Sequence, residues 1–283
     1  MATSVLHTTA LVGDREVLAS LRDGAHGTVH SAFRSVINLA VGQCELLSLT
    51  SASVARGPRS IRLGLERVDH FGILCGDLVH SDGHSLRIGD SLVVIVASTP
   101  TWADPPIAGA PTKERVARLE ERLGDVPSSN DGAFDRAVTA RVHDALVVVH
   151  RAVMGRDEDA AYGGASMLAG LGIGLTPTGD DILTGAAFVA ARLQGSLAVL
   201  HRAVARVVQD GPTNDISLTA LRCALRGRAV QPLEELYAWL CGDLDDNLDD
   251  LVAEVLAIGH TSGADLALGL LKAVRLHLES QEH

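Results

Sequence analysis

The sequence predicts an α+β fold, in which an N-terminal antiparallel β domain (a sandwich or a barrel) precedes a C-terminal helical domain. Short apolar or alternating segments, separated by Gly, Pro, Ser and Asp, fill the first part of the chain, as is typical of antiparallel sheets. From residue 112 onward, apolar residues recur at helical spacing instead. A Pro-rich segment over residues 100–111 separates the two patterns, so we expect a β-rich domain at 1–110 and a helical domain at 111–283.

The composition indicates which residues fill the core and which classes of binding partner are disfavoured. The chain has 283 residues, of which 47% are apolar and only 3% aromatic, so Leu, Val and Ala must fill the core, which favours closely packed helices. The formal net charge of −11 argues against nucleic acid or an anionic membrane as a partner, because nothing offsets repulsion from phosphate groups.

Cysteine usage and the absence of targeting segments indicate a soluble, cytoplasmic protein. The four cysteines are far apart and form no CxxC pair, so we expect buried thiols at Cys44, Cys75, Cys223 and Cys241. The N-terminus lacks the pattern of a signal peptide, and no apolar run approaches the roughly 20 residues of a membrane span. The sequence also argues against zinc and calcium sites. The histidines are scattered, and the acidic residues of 242–250 do not have the spacing of a calcium-binding loop.

In the β-rich part, strands are predicted from apolar or alternating segments, with a hairpin turn at residues 81–83. The predicted strands are Ser35–Val41, Cys44–Thr50, Ser60–Leu65, Phe71–Cys75, Leu78–His80, His84–Gly89 and Leu92–Ala97.

In the second part, short loops between periodic segments indicate a helical bundle. The predicted helices are Lys113–Leu123, Phe134–Met154, Glu158–Ala169, Leu183–Leu193, Ala198–Val208, Ser217–Leu225, Leu233–Leu240, Asp245–Ala257 and Ala264–His277.

A glycine-rich loop that leads into a helix is the main functional signal. Residues 170–185 read Gly-Leu-Gly-Ile-Gly-Leu-Thr-Pro-Thr-Gly-Asp-Asp-Ile-Leu-Thr-Gly. Glycine permits positive φ and close approach of the backbone to another group. Thr178 and Asp181 have the spacing of a capping box, so the loop feeds a helix that carries Asp180 and Asp181 in its first turn.

A second stretch repeats this pattern. Residues 259–269 read Gly-His-Thr-Ser-Gly-Ala-Asp-Leu-Ala-Leu-Gly. Aligning Thr178 with Ser262 pairs the Gly, the Asp and the later Gly of the two copies: Gly179 with Gly263, Asp181 with Asp265, Gly185 with Gly269. Two copies predict two capped helix N-termini that converge on one place.

The two motifs resemble a bacterial family that includes one subunit of oxamate carbamoyltransferase, an enzyme of anaerobic allantoin breakdown. The resemblance extends over most of the chain, with weaker features at Asn38, residues 57–61 and residues 213–221. Position 178 is Thr where Ser is expected, which keeps the hydroxyl. The resemblance implies carbamoyl transfer between carbamoyl phosphate and an oxamate-like acceptor, with partner subunits.

The loops supply candidate binding and catalytic groups. Backbone N–H groups in a glycine-rich turn, together with a helix N-terminus, form a site for a small anion. The candidate substrate-binding residues of the two loops are Gly172, Gly174, Thr176, Thr178, Gly179, Thr261, Ser262 and Gly263. The candidate catalytic residues are Asp180, Asp181, His260 and Asp265. Alternatively, these carboxylates only cap their helices and His260 is an ordinary loop residue.

Five further residues are candidate substrate-binding groups: Asn38, Arg59, Ser60, Thr213 and Ser217. Arg59, beside Ser60 in a turn, could supply the positive charge that the Asp pair lacks. Asn38 lies in an apolar strand and needs hydrogen-bond partners if it is buried. The resemblance implies that Thr213 and Ser217 face the site, whereas the residue types alone fit a helix N-terminus.

The leading hypothesis is therefore a carbamoyltransferase subunit that binds carbamoyl phosphate, oxamate or oxalurate at glycine-rich helix N-termini. Mg²⁺ is a candidate cofactor, because an Asp could hold an ion that bridges phosphate oxygens. The alternative is a non-catalytic scaffold or small-carboxylate-sensing subunit, in which Gly185 and Gly269 only let helices approach closely. A homo-oligomer is compatible with both hypotheses.

Overall fold

A computed structural model describes residues 5–22, 24–42, 45–102, 104, 107–124, 132–245 and 247–282. The chain divides into two compact units near residue 105. The first unit is β-rich and the second is helical, so the α+β prediction is confirmed. The domain limits of 1–110 and 111–283 stay a prediction.

Eight strands of the first unit form a closed barrel, which decides between the predicted sandwich and barrel. They follow the order β5-β4-β3-β2-β6-β7-β8-β1, and β1 also pairs with β5 to close the barrel. A short strand, β9, pairs with the end of β1. The strands are β1 Leu6–Asp14, β2 Ala25–Ala32, β3 Val36–Val41, β4 Leu46–Thr50, β5 Ser60–Leu63, β6 Leu78–Ser81, β7 Ser85–Ile88, β8 Leu92–Ile95 and β9 Thr101–Trp102. Leu and Ile side chains from these strands fill the interior.

The sheet is mixed rather than wholly antiparallel. β1 runs parallel to β8 and β9, and β4 runs parallel to β5, whereas the remaining neighbours are antiparallel. The irregular chain between β4 and β5 is long enough to return to the same end of the sheet, which a tight hairpin cannot do.

Three elements near the N-terminus were not predicted. β1 and β2 carry His, Thr and Gly at many positions, and Val29 is the one buried residue of β2, so neither strand has a clear apolar alternation. Between them lies α1 (Arg15–Arg22), whose Val17, Leu18 and Leu21 are buried. This helix has only about two turns, which is too short for its apolar residues to show a strong helical periodicity in the sequence.

The predicted strand Phe71–Cys75 is wrong. A 3₁₀ turn at Asp69–Phe71 is followed by Gly72 with φ of 65°, and the chain is irregular through Cys75. A left-handed residue at this position is incompatible with the extended backbone of a strand.

The described part of the second unit contains nine helices: α2 Lys113–Gly124, α3 Ala133–Met154, α4 Glu158–Leu168, α5 Thr178–Arg192, α6 Ala198–Asp210, α7 Asp215–Leu225, α8 Gln231–Cys241, α9 Leu248–Leu256 and α10 Ser262–Ser280. Each corresponds to a predicted helix. α5 begins at Thr178 rather than Leu183, and α9 begins later than predicted, because the Asn247 side chain caps it by accepting the Asp249 N–H.

Helix α5 lies at the centre of the unit. Every residue from Gly179 to Ala190 is buried, so the helix is enclosed on all sides. Its most extensive partner is α10, and the crossing of these two helices positions the candidate site.

Two expectations from composition can be compared with the described residues. Cys223 and Cys241 are buried as expected, whereas Cys75 is exposed; Cys44 lies outside the described residues. Within the described ranges, no helix combines the length and the apolar character needed to cross a membrane.

Candidate functional site

The two glycine–Asp repeats lie side by side where α5 and α10 begin. The Thr176 hydroxyl, just before α5, is 2.8 Å from the hydroxyl of Ser262, the first residue of α10. Because both helices begin here, the partial positive charges of two N-termini are concentrated at one place.

Glycines at the crossing hold the two helices in backbone contact. A Cβ on Gly185 would lie 2.1 Å from the carbonyl oxygen of Leu266, and a Cβ on Gly269 would lie 2.0 Å from that of Ile182. Ile182 and Leu266 are equivalent positions in the two repeats, so the contacts are reciprocal. The repeat in the sequence is therefore an approximate twofold symmetry in the structure.

The predicted capping boxes are wrong. Thr178 and Ser262, the predicted N-cap residues, are instead the first residues of their helices. The N-cap positions are therefore occupied by Pro177 and Thr261, and neither helix has a side-chain cap. Each hydroxyl instead lies against the Asp of the other repeat, Ser262 against Asp181 and Thr178 against Asp265. The sequence analysis paired each hydroxyl with the Asp of the same helix, whereas the structure pairs it with the Asp of the other helix.

Asp181 is a buried carboxylate with an unused acceptor. The residue is 6% exposed, and its Oδ2 has no hydrogen-bond partner among the described residues. Burial raises the pKa of Asp181 to about 7; the Ser262 and Thr176 hydroxyls oppose this rise, and the Asp265 and Asp180 charges add to it. Asp181 can therefore exchange a proton near neutral pH, or accept an N–H from a ligand.

Asp265 is the equivalent carboxylate of the second repeat. Burial raises its pKa to about 6, the Thr178 hydroxyl opposes the rise, and its Oδ2 also lacks a partner in the described part of the chain. Asp265 is half-buried and, with Thr178 and Thr261, lines a cleft of about 650 Å³. A small ligand has room in this cleft to reach the carboxylate.

The cleft also contains charged residues that the motifs did not indicate. Glu120 of α2, Asp135 of α3 and Arg275 of α10 line it, and Arg275 donates to Glu120 at 2.8 Å. These residues lie on ordinary amphipathic helices, so only the tertiary arrangement brings them to Asp265. With three carboxylates and one guanidinium among its lining residues, the cleft favours ligands that present N–H donors over multiply charged anions.

Asp180 has a different environment from its neighbour. Its Oδ1 accepts the Gly170 N–H at 2.7 Å and its Oδ2 accepts the Thr213 hydroxyl at 2.5 Å, and the residue is 1% exposed. Both oxygens are used to hold the glycine loop and the segment before α7 against α5. These contacts favour a positioning role over direct chemistry.

Asp180→Asn is expected to lower the free energy of unfolding by about 1–2 kcal/mol, because the new amide group opposes the Thr213 hydroxyl in place of a charged acceptor. Urea unfolding at pH 7 measures this loss. Asp159→Asn is the control, because Asp159 is 91% exposed and its ion pair with Arg206 should contribute little. Equal stability of the two variants would contradict a positioning role for Asp180.

The glycine loop presents free backbone donors. Gly170, Gly172 and Gly174 have φ of 69°, 120° and 109°, and a Cβ on Gly172 would lie 2.8 Å from the backbone nitrogen of Thr178. The backbone N–H groups of residues 172–176 and of Thr178 make no hydrogen bond to the described residues. This arrangement supplies the donors of an anion site next to the α5 N-terminus.

The segment before α7 supports the loop. Asn214 caps α7 by accepting the N–H groups of Ile216 and Ser217, and it donates to the Leu175 carbonyl at 3.1 Å. The Ser217 hydroxyl is buried and has no partner among the described residues. Thr213 thus reaches the site through Asp180, whereas the contacts assign no ligand to Ser217.

The remaining loop candidates differ in environment. His260 is exposed and Thr261 lines the cleft. Gly179 and Gly263 serve packing, since a Cβ on either would lie 1.9 Å from a carbonyl oxygen, that of Leu168 or Val255.

The barrel candidates make their contacts within the barrel. The buried Asn38 donates to the Ser31 hydroxyl at 3.0 Å and accepts from Ser48 at 2.7 Å, so its amide is satisfied across three strands. The Arg59 guanidinium donates to the carbonyls of residues 45 and 46, and the backbone N–H of Arg59 donates to the buried Asp14 carboxylate at 2.7 Å. The Ser60 hydroxyl donates to the Gly57 carbonyl at 2.8 Å.

In the described ranges, no group of three His, Cys, Asp or Glu side chains is placed to hold a metal ion.

Family models match both units of the chain. A model described as AllH family N-terminal domain matches residues 9–101, and one described as oxamate carbamoyltransferase subunit AllH matches residues 168–274. The chain belongs to the AllH family. The second match contains both glycine–Asp repeats, and the family resemblance of the sequence is thus confirmed. No solved structure matches the chain.

Proposed function

We propose that this chain is a subunit of an oxamate carbamoyltransferase-like enzyme, works with partner subunits, and holds the amide group of the acceptor against Asp181. The observation that supports this most is the buried Oδ2 of Asp181, which lacks a partner among the described residues on a carboxyl group with a pKa of about 7. Membership of a family named for such a subunit supports the reaction type.

Carbamoyl transfer needs a base at the attacking nitrogen. The acceptor nitrogen attacks the carbamoyl carbon, a proton leaves the nitrogen, and the bond from that carbon to the phosphate oxygen breaks with its electron pair on phosphate. Asp181 accepts the proton and returns it to the departing phosphate. A pKa of about 7 suits this role, because the group is then about half ionised at neutral pH.

The second repeat and the loop complete the proposed site. Asp265, with an unused Oδ2 next to Thr178, accepts a second N–H and so orients the amide. The free N–H groups of residues 172–176 and Thr178 bind the carboxylate or phosphate, or the oxyanion that forms at the carbamoyl carbon. The carboxylates thus contact the nitrogen end of the ligand, and the helix N-termini contact its anionic end.

Calorimetric titration of the purified chain tests this proposal with oxamate, oxalurate, carbamoyl phosphate and phosphate, each with and without Mg²⁺. We expect oxamate or oxalurate to bind, and Asp181→Asn to weaken binding by about tenfold or more, because a charged acceptor of the amide N–H is lost. Asp159→Asn, an exposed carboxylate on α4, is the control and should bind as the wild type does. Unchanged affinity in a folded Asp181→Asn chain would overturn the proposed role of Asp181.

One observation favours the non-catalytic alternative. Gly179, Gly185, Gly263 and Gly269 all lie against backbone atoms of neighbouring segments, so helix packing alone accounts for these four glycines. It does not account for the unused oxygens of Asp181 and Asp265. A scaffold would bind none of the four ligands, and Asp181→Asn would leave the activity of the assembled enzyme unchanged.

A further inference from the structure

A second cavity in the helical unit has apolar walls. It measures about 280 Å³ and is lined by side chains of α3, α4, α5, α6 and α10. The buried apolar residues on its walls include Val149, Leu168, Leu183, Leu200 and Leu276. Its volume is just below the usual range for small-molecule sites, so it suits a short apolar chain rather than a large ring system.

The charged residues around this cavity are mostly basic. With histidine counted as neutral, as in the net charge of the chain, they are Arg151, Lys272 and Arg275 against one acidic residue, Glu279; His143 and His150 also line the cavity. This local excess of basic groups contrasts with the net charge of −11 for the whole chain. A ligand with one negative charge would therefore be favoured here over a neutral or positive one.

Lys272 is the group best placed to hold such a charge. It is one of only two lysines in the chain, it is half-buried, and its ammonium has no ion pair or hydrogen bond to any residue that the structure describes. Two of the other basic groups are already engaged: Arg275 donates to Glu120 at 2.8 Å, and His150 lies 3.4 Å from Glu279. A half-buried ammonium beside apolar walls gains most from a ligand carboxylate.

We propose that this cavity binds a small carboxylate with a short aliphatic chain, its tail against the apolar walls and its carboxylate on Lys272. Oxamate and phosphate have no apolar part to bury, so the ligand class differs from that of the Asp181 site. Ile182 lines both this cavity and the cleft beside Asp265, so the two sites are neighbours along α5. An occupant would pack directly against the crossing of α5 and α10, where Gly269 also lines the cavity.

Titration of the full chain with hexanoate, hexanol and hexylamine tests the proposal, because the three probes share a tail and differ in charge. We expect hexanoate to bind, hexanol to bind about tenfold or more weakly, and hexylamine not to bind. Lys272→Met keeps the aliphatic stem and should reduce hexanoate affinity to that of hexanol. The matched control is Lys113→Met at the other lysine, whose partner is Glu282, and it should leave hexanoate affinity unchanged.

Asp181→Asn separates this proposal from the proposed catalytic site, since hexanoate should bind the variant as it binds the wild type. If millimolar hexanoate produced neither a heat of binding in calorimetry nor a chemical-shift change in NMR spectra, the proposal would be overturned. Equal affinity of hexanoate for Lys272→Met and the wild type would overturn it as well, and so would tighter binding of hexylamine than of hexanoate.

Discussion

Gly269→Ala is expected to lower the free energy of unfolding of the helical unit by roughly 3 kcal/mol, at the upper end of overpacking effects. A Cβ at this position would lie 2.0, 2.8 and 3.0 Å from the oxygen, carbon and Cα of Ile182. All three are backbone atoms, so no side-chain rotation can relieve the overlap. α5 and α10 must move apart, and the expected fall in Tm is about 6–12 °C.

Gly163→Ala is the matched control for this substitution. Gly163 is also in the interior of a helix, α4, but a Cβ there would meet nothing within 4 Å. Alanine should stabilise that helix by about 0.5–1 kcal/mol, because it restricts the unfolded chain more than glycine does. Thermal and urea unfolding of both variants should give shifts of opposite sign.

Gly185→Ala tests the symmetry of the crossing. It makes the reciprocal overlap with the carbonyl of Leu266, so its effect should resemble that of Gly269→Ala. The double variant should cost less than the sum of the single ones, because the first substitution already separates the helices. A Gly269→Ala chain as stable as the wild type would mean that the helices are not in the contact described.

The helical unit was predictable because its signals are local. Apolar residues at helical spacing located all nine described helices, and Pro and Gly between them indicated the loops. The barrel was less predictable, since closure depends on β1, whose sequence shows no clear alternation of apolar and polar residues. Parallel pairing of β1 with β8 joins segments far apart in the chain, and no local pattern encodes such a contact.

The pairing of hydroxyl and carboxylate groups at the site could not be predicted from spacing. A capping box and an exchange between two helices use the same residues at the same separation, and only the crossing of α5 and α10 decides between them. Asp180 and Asp181 are adjacent in the sequence, but consecutive residues project about 100° apart around a helix. One therefore bonds Gly170 and Thr213, and the other lies against Ser262 and Thr176.

Asp181→Asn is expected to stabilise the protein at pH 8 while it weakens ligand binding. The folded chain holds the Asp181 proton up to a pKa of about 7, whereas an unfolded Asp titrates near 3.8. Between these values the folded state binds more protons than the unfolded state, so stability falls as pH rises. The pKa difference corresponds to a contribution of at most about 4 kcal/mol to the free energy of unfolding. This contribution is fully present below pH 4 and fully lost above pH 7.

The difference between the wild-type and Asp181→Asn stability curves from pH 4 to pH 9 isolates this effect from all other titrating groups. It should be near zero at pH 4, grow in favour of the variant, and level off just above pH 7. Asp265→Asn should give a smaller difference that levels off near pH 6, where burial places the pKa of Asp265. Equal or lower stability of Asp181→Asn at pH 8 would show that the Asp181 charge is compensated in the folded chain. A carboxylate retained for structure would not destabilise the fold at the pH where it is ionised; one retained for chemistry does, because its unused oxygen is kept for the ligand.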